Sequence, residues 1–177
     1  VGNVFKDGDA WFNTGDLIKT VDVGFAFGKE HYQFVDRVGD TFRWRSENVS
    51  TNEVGEILNG FMDVNMSNVY GVWVPGCEGR AGMAAFSLED VNNFNWYAFS
   101  EHVENNLPKY ARPVFIRIIQ EMDTTGTFKL KKNELRDESF DLNKVSDIVY
   151  CLKPSSNTYE LLDQDWLNKI NSCEAGY

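Results

Sequence analysis

Two stretches of sequence decide the fold of this chain: the turn Phe12-Asn13-Thr14-Gly15-Asp16, and the run Asp36-Arg37-Val38-Gly39-Asp40-Thr41-Phe42-Arg43-Trp44-Arg45-Ser46-Glu47-Asn48-Val49-Ser50. In the first, a carboxylate follows a Thr-Gly turn. In the second, an arginine precedes a glycine, whose backbone angles can change at little cost. Aromatic residues and arginines then alternate, which predicts a half-exposed strand. Ser50 and Glu53 form a capping box, so a helix of about ten residues should follow.

The pattern outside these stretches predicts alternating strands and helices. Upstream, residues 11–35 mix aromatic and β-branched residues with turns, which indicates a small antiparallel meander. Downstream we expect strands at 66–74, 81–88 and 114–119, and helices at 96–107, 131–136 and 163–170. No G-x-G-x-x-G turn accompanies them. The sequence therefore predicts an α+β fold, a small mixed sheet with flanking helices, preceded by a β-rich tail.

Composition excludes some classes of function. The chain has 177 residues and a formal net charge of −10 at pH 7, which argues against a nucleic-acid partner because phosphate binding requires a basic surface. Its three cysteines lack C-x-x-C spacing, which favours free thiols in a reducing compartment. There is no signal peptide and no apolar run near the roughly 20 residues of a transmembrane helix. We expect a cytoplasmic protein, or one at the cytoplasmic face of a membrane that it contacts only through parts absent here.

These motifs resemble a known family. The Thr-Gly-Asp turn and the run from Asp36 to Ser50 look like the adenylate-forming synthetases, which include acyl-CoA synthetases, adenylation domains and luciferases. Within this family, the amino-acid sequence of the run is similar to the branch of fatty acid transport proteins and very-long-chain acyl-CoA synthetases. The likeness runs from about Phe5 to about Arg136, and includes Val74-Pro75-Gly76-Cys77-Glu78-Gly79-Arg80 and Thr125-Gly126-Thr127-Phe128-Lys129.

The resemblance implies a division of the chain and an activity. Residues 1–38 would be the C-terminal end of a large N-terminal domain that binds ATP and the acyl group, and residues 39–177 the C-terminal lid domain. The full-length protein would use ATP and Mg²⁺ to convert a long-chain fatty acid to an acyl-adenylate and then pass the acyl group to CoA. No phosphate-binding loop occurs in this sequence, so we expect that loop and the acyl tunnel in the missing N-terminal domain and this chain alone to be inactive.

Asp16 and Arg37 are the candidate nucleotide-binding residues. A carboxylate on a tight turn can accept bonds from two vicinal ribose hydroxyls, although an aspartate that caps its own turn gives the same pattern. Arg37 can donate to ribose or phosphate, or can form a surface pair with Asp36 or Asp40. The resemblance implies the ribose role for both.

Gly39 and Lys129 are the candidates for motion and catalysis. Gly39 is the expected hinge, with Asp40 as the alternative, although an ordinary turn glycine fits the pattern too. A lysine charge can stabilise the negative charge that develops when a carboxylate attacks an α-phosphate, and the resemblance gives Lys129 this role. From the pattern alone, the cluster with Lys131 and Lys132 is as consistent with a solvated face.

Ser46 and Glu47 end the arginine-rich strand, and the resemblance implies that they border the passage of CoA. Many relatives have glycine where Ser46 stands. No metal site is expected, because no histidine, cysteine or carboxylate has suitable spacing. Two rival hypotheses remain open: a lid-like module without catalysis that acts through protein contacts, and an adenylate-forming ligase for another carboxylic acid.

Overall fold

The computed structural model describes residues 2–25, 28–37, 40–64, 66–88, 90–119 and 132–177. The chain forms two compact units, Val1–Asp40 and Thr41–Tyr177. This division falls two residues after the junction that the sequence predicts at residue 38. Among the residues that the structure describes, no helix is both long and apolar enough to cross a membrane.

The first unit is built on one antiparallel hairpin, β1 (Asp16–Val21) and β2 (His31–Arg37). The predicted meander is thus two-stranded where the structure describes it, and the segment Phe25–Phe27 lies partly outside the described residues. A two-stranded hairpin buries little surface. Large apolar side chains accordingly remain exposed, with Phe12 at 88% and Ile18 at 61%.

In the residues that the structure describes, the second unit begins with a short hairpin and continues through a sheet with four helices. Its elements are β3 (Phe42–Trp44), β4 (Glu47–Val49), α1 (Thr51–Asn59), β5 (Ser67–Trp73), β6 (Arg80–Phe86), α2 (Trp96–Asn106), β7 (Phe115–Ile118), α3 (Lys132–Glu138), β8 (Ile148–Cys151), β9 (Glu160–Leu161) and α4 (Gln164–Asn171).

The main sheet has the strand order β5-β6-β7-β8-β9. Neighbouring strands are antiparallel except β6 and β7, which are parallel and are joined through α2. A parallel pair needs a long crossover, and a helix normally supplies it. The α+β class with a small mixed sheet and flanking helices is therefore confirmed.

Helices and irregular segments cover both faces of this sheet. On one face, Phe99 of α2 packs on Phe86 with ring centroids 5.6 Å apart, and Trp96 stacks on Tyr150 at 3.9 Å. On the other face, the segment after α3 stacks Phe140 on Phe115 at 4.2 Å. Strand residues alternate between faces, so the near-continuous apolar runs of β5, β6 and β7 bury both sides of the sheet.

Several predicted boundaries agree with the structure. The Ser50 hydroxyl accepts the backbone N–H of Glu53 at 3.3 Å, which caps α1 as the capping box predicts. Asp163 caps α4 by accepting the N–H of Trp166 at 2.7 Å. The short strands β4, β8 and β9 were not predicted, because two to four residues give too little periodicity to recognise.

Candidate functional site

The Thr-Gly-Asp turn owes its shape to local hydrogen bonds. The Asn13 side chain accepts the N–H of Gly15 at 2.8 Å, and the Thr14 hydroxyl accepts the N–H of Asp16 at 3.2 Å. Gly15 has φ of +72°, a left-handed conformation that side chains other than glycine rarely adopt. The turn therefore delivers Asp16 to the first position of β1, where it is half-buried.

The hairpin register brings the two candidate nucleotide-binding residues opposite each other. Asp16 and Arg37 are Cα partners at the open end of the β1–β2 ladder. A bulge between Leu17 and Ile18 produces this pairing, because it shifts the register by one residue. The two positions are 21 residues apart in sequence, so only the strand pairing joins them.

The predicted hinge lies at the boundary between the two units. Asp40 is a half-buried turn residue and the last residue of the first unit. Gly39, the preferred hinge candidate, lies outside the described residues. Its role as the hinge therefore stays a prediction.

Ser46 occupies a two-residue turn between β3 and β4. Arg45 and Ser46 have φ of 51° and 67°, and positive φ at both central residues is the requirement of a type I′ hairpin turn. The Arg43 guanidinium donates to the Ser46 carbonyl at 3.1 Å, which holds the turn closed. The left-handed backbone at Ser46 is a conformation that glycine adopts more readily than other residues. Glu47 begins β4 opposite Trp44 and is exposed.

Glycines fix where this hairpin packs, a role that the sequence analysis missed. Phe42 lies over Gly71 and Gly82, which are opposite each other in β5 and β6. A Cβ on Gly71 would lie 2.6 Å from the Cβ of Phe42, so any side chain there would displace the ring. Gly79 meets Trp44 in a backbone bridge, and a Cβ there would collide with the Arg43 carbonyl. The sequence signal that could have indicated this packing was the presence of glycines inside or beside a strand, where another backbone or side chain can approach closely.

A cleft of about 580 Å³ opens beside the Arg45–Ser46 turn. Four cationic side chains line it, together with residues of the hairpin, of α2 and of the C-terminal segment; they are Arg45, Lys109, Arg112 and Lys153. Glu104 lines the cleft as well, but four cations beside this one glutamate contrast with the net charge of −10 of the whole chain.

Two of these cations have structural partners. Arg112 pairs with Glu104 at 2.7 Å and donates to the Leu107 carbonyl at 3.0 Å, so it caps the end of α2. Lys153 donates to Glu160 at 2.8 Å, and this hydrogen bond raises the pKa of Lys153. Arg45 lies 5.9 Å from the centre of the Trp44 ring. Arg45, which is part of the turn, and Lys109 are the better candidates for an anionic ligand, because Arg112 and Lys153 are engaged in ion pairs.

Buried titratable groups near the cleft are structural. Tyr159 donates to the Pro113 carbonyl at 2.7 Å, and burial raises the pKa of Tyr159 far above its ordinary value. Burial also raises the pKa of Cys151 to about 11, so this thiol stays protonated and is a poor nucleophile. Within the described ranges, no group of three or more histidine, cysteine or carboxylate side chains could hold a metal ion.

The lysine cluster is described only at its last member. Lys129, the candidate catalytic residue, and Lys131 lie outside the described residues. Lys132 begins α3, and its ammonium donates to the Thr51 hydroxyl of α1 at 2.9 Å. This lysine therefore serves packing between α3 and α1, and the solvated-face interpretation does not hold for Lys132.

The chain is similar to long-chain fatty acid transport proteins. It is 43% identical to long-chain fatty acid transport protein 6 of Mus musculus over 172 residues, and this match covers 97% of this chain and 27% of the relative. It is 45% identical to long-chain fatty acid transport protein 3 of Homo sapiens over 157 residues, and this match covers 89% of this chain and 22% of the relative. The chain thus spans about a quarter of the length of these curated relatives. No protein-family profile matches it.

Solved structures with the same fold are adenylate-forming enzymes. A fatty acyl-CoA synthetase of Mycobacterium tuberculosis superposes with a TM-score of 0.58 and 22% identity, over 75% of this chain and 25% of that one. Coronafacic acid ligase of Pectobacterium brasiliense superposes with a TM-score of 0.65 and 20% identity, and the match covers 81% of this chain and 26% of the ligase. The o-succinylbenzoate-CoA synthetase of Bacillus subtilis, in complex with AMP, superposes with a TM-score of 0.60 and 22% identity. That match covers 72% of this chain and 24% of the synthetase.

At these identities the structural likeness establishes the fold, and the sequence relatives establish the family. Both agree with the resemblance carried by the Thr-Gly-Asp turn and by the run that begins at Asp36. The chain therefore belongs, over the quarter of their length that it spans, to the family of the long-chain fatty acid transport proteins, and it has the fold of the C-terminal domain of adenylate-forming enzymes.

Proposed function

We propose that this chain is part of a long-chain fatty acyl-CoA synthetase, to which it contributes the hinge, part of the ribose clamp and the catalytic lysine. The full-length protein joins a fatty acid to CoA, with conversion of ATP to AMP and pyrophosphate through an acyl-adenylate. The relatives named for long-chain fatty acid transport and the fold of a fatty acyl-CoA synthetase support this function. Residues 1–38 then belong to the large domain and residues 39–177 to the lid.

The observation that carries the proposal is the pairing of Asp16 with Arg37 at the open end of the β1–β2 hairpin. A ribose offers two vicinal hydroxyls, which donate to a carboxylate, and ring and hydroxyl oxygens, which accept from a guanidinium. The pair stands at the end of the strand that leads to the boundary between the units. Both residues of the proposed ribose clamp therefore belong to the first unit, and Arg37 precedes the last residue of that unit by three positions.

The chemistry assigned to the chain has two half-reactions. In the first, the fatty acid carboxylate attacks the α-phosphorus of ATP and pyrophosphate leaves, while the Lys129 ammonium stabilises the developing negative charge. The lid then turns about Gly39 or Asp40. In the second half-reaction the CoA thiol loses its proton and attacks the acyl carbonyl, and AMP leaves. The turn at Ser46 and Glu47 borders the path of CoA in this arrangement.

The basic cleft beside that turn suits the phosphates of CoA. Arg45 is on the turn itself and Lys109 follows α2, so a pantetheine arm that passes the turn brings its nucleotide end towards both cations. Mg²⁺ accompanies ATP in such a reaction. The described residues offer no cluster for it, and we assign none of them to the metal.

The missing N-terminal domain is the main protein partner in this proposal. The exposed apolar side chains of the first unit, Phe12 and Ile18 among them, are consistent with a hairpin that completes its core against a larger body.

The test is a pair of half-reaction assays on the full-length protein. We expect fatty-acid-dependent release of pyrophosphate from ATP, and AMP release with acyl-CoA formation once CoA is added. A lid-like module without catalysis would form neither product. A ligase for another acid would form acyl-adenylate from aromatic or short acids in preference to C16–C24 acids; the fold shared with coronafacic acid ligase and o-succinylbenzoate-CoA synthetase makes that the rival to include.

A further inference from the structure

Two cysteines that are far apart in sequence come together in the second unit. A Cβ placed on Gly76 would lie 2.7 Å from the Cys173 Sγ and 2.9 Å from the Cys173 Cβ. The Cys173 side chain therefore rests directly on the backbone of Gly76, and the next residue in the chain is Cys77. Cys77 is half-buried and Cys173 is exposed, and both are free thiols.

Cys77 ends a tight turn in the loop between β5 and β6. Its backbone N–H donates to the Val74 carbonyl at 3.1 Å, and the central residues of the turn are Pro75 and Gly76. Gly76 has φ of +74°, and proline followed by a left-handed glycine is typical of a type II turn. Glycine at this position also leaves the space that the side chain of Cys173 fills.

Cys173 stands where a helix commonly ends with glycine. A Schellman motif closes α4: the N–H of Cys173 donates to the Ile170 carbonyl at 3.1 Å, and the N–H of Glu174 donates to the Lys169 carbonyl at 2.8 Å. Cys173 accordingly has φ of 64°, a left-handed conformation that is unfavourable for a residue with a side chain. A strained residue of this kind points to a use for its side chain, and the thiol is what glycine would lack.

The two thiols lie within electrostatic reach of each other. Burial raises the pKa of Cys77, a charge on Cys173 raises it further, and the Arg45 guanidinium acts in the opposite direction. The Cys77 thiol also donates a weak hydrogen bond to the Tyr177 carbonyl at 3.7 Å. Cys77 is therefore mostly protonated at neutral pH, and the exposed Cys173 is the thiol that a dissolved oxidant reaches more readily.

We propose that Cys77 and Cys173 are a site of oxidation by hydroperoxides, at which they form a reversible disulfide. The Cys173 sulfur attacks the peroxide, the O–O bond breaks, and a sulfenic acid forms while an alcohol, or water from hydrogen peroxide, is released. The Cys77 sulfur then attacks the Cys173 sulfur, and the S–O bond breaks with loss of water. Two electrons pass from the thiols to one hydroperoxide, and a small dithiol restores both thiols by exchange.

The disulfide joins the loop between β5 and β6 to the segment after α4. Both segments adjoin the basic cleft: Gly79 of the loop bridges Trp44, which lines the cleft, and Gly176 and Tyr177 line it too. Oxidation therefore links two parts of the cleft wall covalently. This inference goes beyond the proposed function and does not rest on it, because no catalytic role of any residue enters it.

Peptide mapping of the full-length protein tests the proposal. The reduced protein is treated with hydrogen peroxide, its remaining thiols are blocked, and it is digested with trypsin without reductant. Cleavage after lysine and arginine puts Cys77 in the peptide 46–80 and Cys173 in the peptide that begins at Ile170, separate from Cys151. We expect these two peptides to be joined, with a mass lower by two hydrogens, and to separate with dithiothreitol. Links through Cys151 should be at least about tenfold rarer, because that thiol is buried and stays protonated.

Three variants separate the disulfide from a general effect on folding. Cys173→Gly removes one thiol and supplies the residue that the left-handed position favours, so it should be at least as stable as the reduced wild type and form no link. Cys77→Ser should stop the reaction at a sulfenic acid on Cys173, which dimedone traps, whereas wild type should give little of this adduct. Cys151→Ala is the matched control and should leave the link unchanged.

Unfolding in denaturant shows whether the disulfide fits the native structure. Oxidation should raise the midpoint of wild type, because a disulfide without strain restricts the unfolded chain, and should leave the midpoint of Cys173→Gly unchanged. The inference is wrong if oxidised wild type carries Cys173 as a sulfinic acid with no link to Cys77, if the link joins two molecules, or if the disulfide lowers the midpoint.

Discussion

Asp16 and Arg37 occupy partnered Cα positions at the open end of one hairpin, although 21 residues separate them in sequence. Asp16 directly follows the turn formed by Asn13, Thr14 and Gly15. Arg37 is the last residue of β2, the strand that precedes the boundary between the units. The ribose clamp that we propose is thus assembled by strand register, and Arg37 precedes the proposed hinge residue Gly39 by two positions in the sequence.

The first prediction concerns the carboxylate of this pair. In the full-length protein, Asp16→Asn should raise the KM for ATP about tenfold or more, because a hydrogen bond to a charged group contributes roughly 1.5–3 kcal/mol. Initial rates at varied ATP check it. Asp22→Asn is the matched control, since Asp22 is an exposed residue beyond the other end of β1, where it accepts the N–H of Gly24. Equal effects of the two substitutions would remove the ribose role of Asp16.

The second prediction concerns the close approach at Gly79. Gly79→Ala should lower the free energy of unfolding by about 2–5 kcal/mol, through left-handed strain and the collision with the Arg43 carbonyl. Gly176→Ala is the control: Gly176 has φ of +76° in the same unit, but a Cβ there meets nothing within 4 Å, so only roughly 1–2 kcal/mol of strain is expected. Denaturant unfolding measures both, and similar losses would show that packing under the β3–β4 hairpin is loose.

The third prediction concerns the lysine cluster. In the full-length protein, Lys129→Ala should slow acyl-adenylate formation by about 10² to 10³, the usual effect of losing one positioned charge. Thioester formation from pre-made acyl-adenylate should be spared, because the lid has then turned. Lys131→Ala is the control for register.

Lys132→Ala needs a different expectation. Lys132 donates to Thr51, so its loss should reduce stability through the contact between α3 and α1. It should slow both half-reactions alike if it slows them at all. A selective loss of adenylation in Lys131→Ala or Lys132→Ala, with Lys129→Ala active, would move the catalytic role to the neighbour.

The fourth prediction concerns the basic cleft. Lys109→Ala should raise the KM for CoA about tenfold, as expected for one lost contact between an ammonium and a phosphate, and should leave the KM for ATP unchanged. The control is Lys144→Ala, an exposed lysine in another cleft beside α3 and α4 that pairs with Asp141 at 3.8 Å. If Lys109 contacts the 3′-phosphate of CoA, the KM for dephospho-CoA should differ less between wild type and Lys109→Ala than the KM for CoA does. An unchanged KM for CoA in Lys109→Ala would exclude this cleft as the CoA site.

The amino-acid sequence by itself determined the local structure and the family. The capping box at Ser50, the stop of α2 before Pro108 and the apolar run of β7 depend on neighbouring residues only, and each lies where the sequence predicted it. The Thr-Gly-Asp turn is likewise closed by contacts over two residues. The motifs that carry the family resemblance are contiguous, so they too could be recognised without a structure.

Tertiary structure alone decided which distant residues meet. The pairing of Asp16 with Arg37 depends on a bulge, because a shift of one residue changes every partner in a ladder. The contact of Phe42 with Gly71 and Gly82 requires a hairpin docked on a sheet. The hydrogen bond from Arg117 of β7 to Glu138 of α3, 21 residues later in the sequence, requires the helix to pack back against the strand. No local pattern encodes such pairs, since each arises from the packing of elements whose relative placement is settled by the whole core.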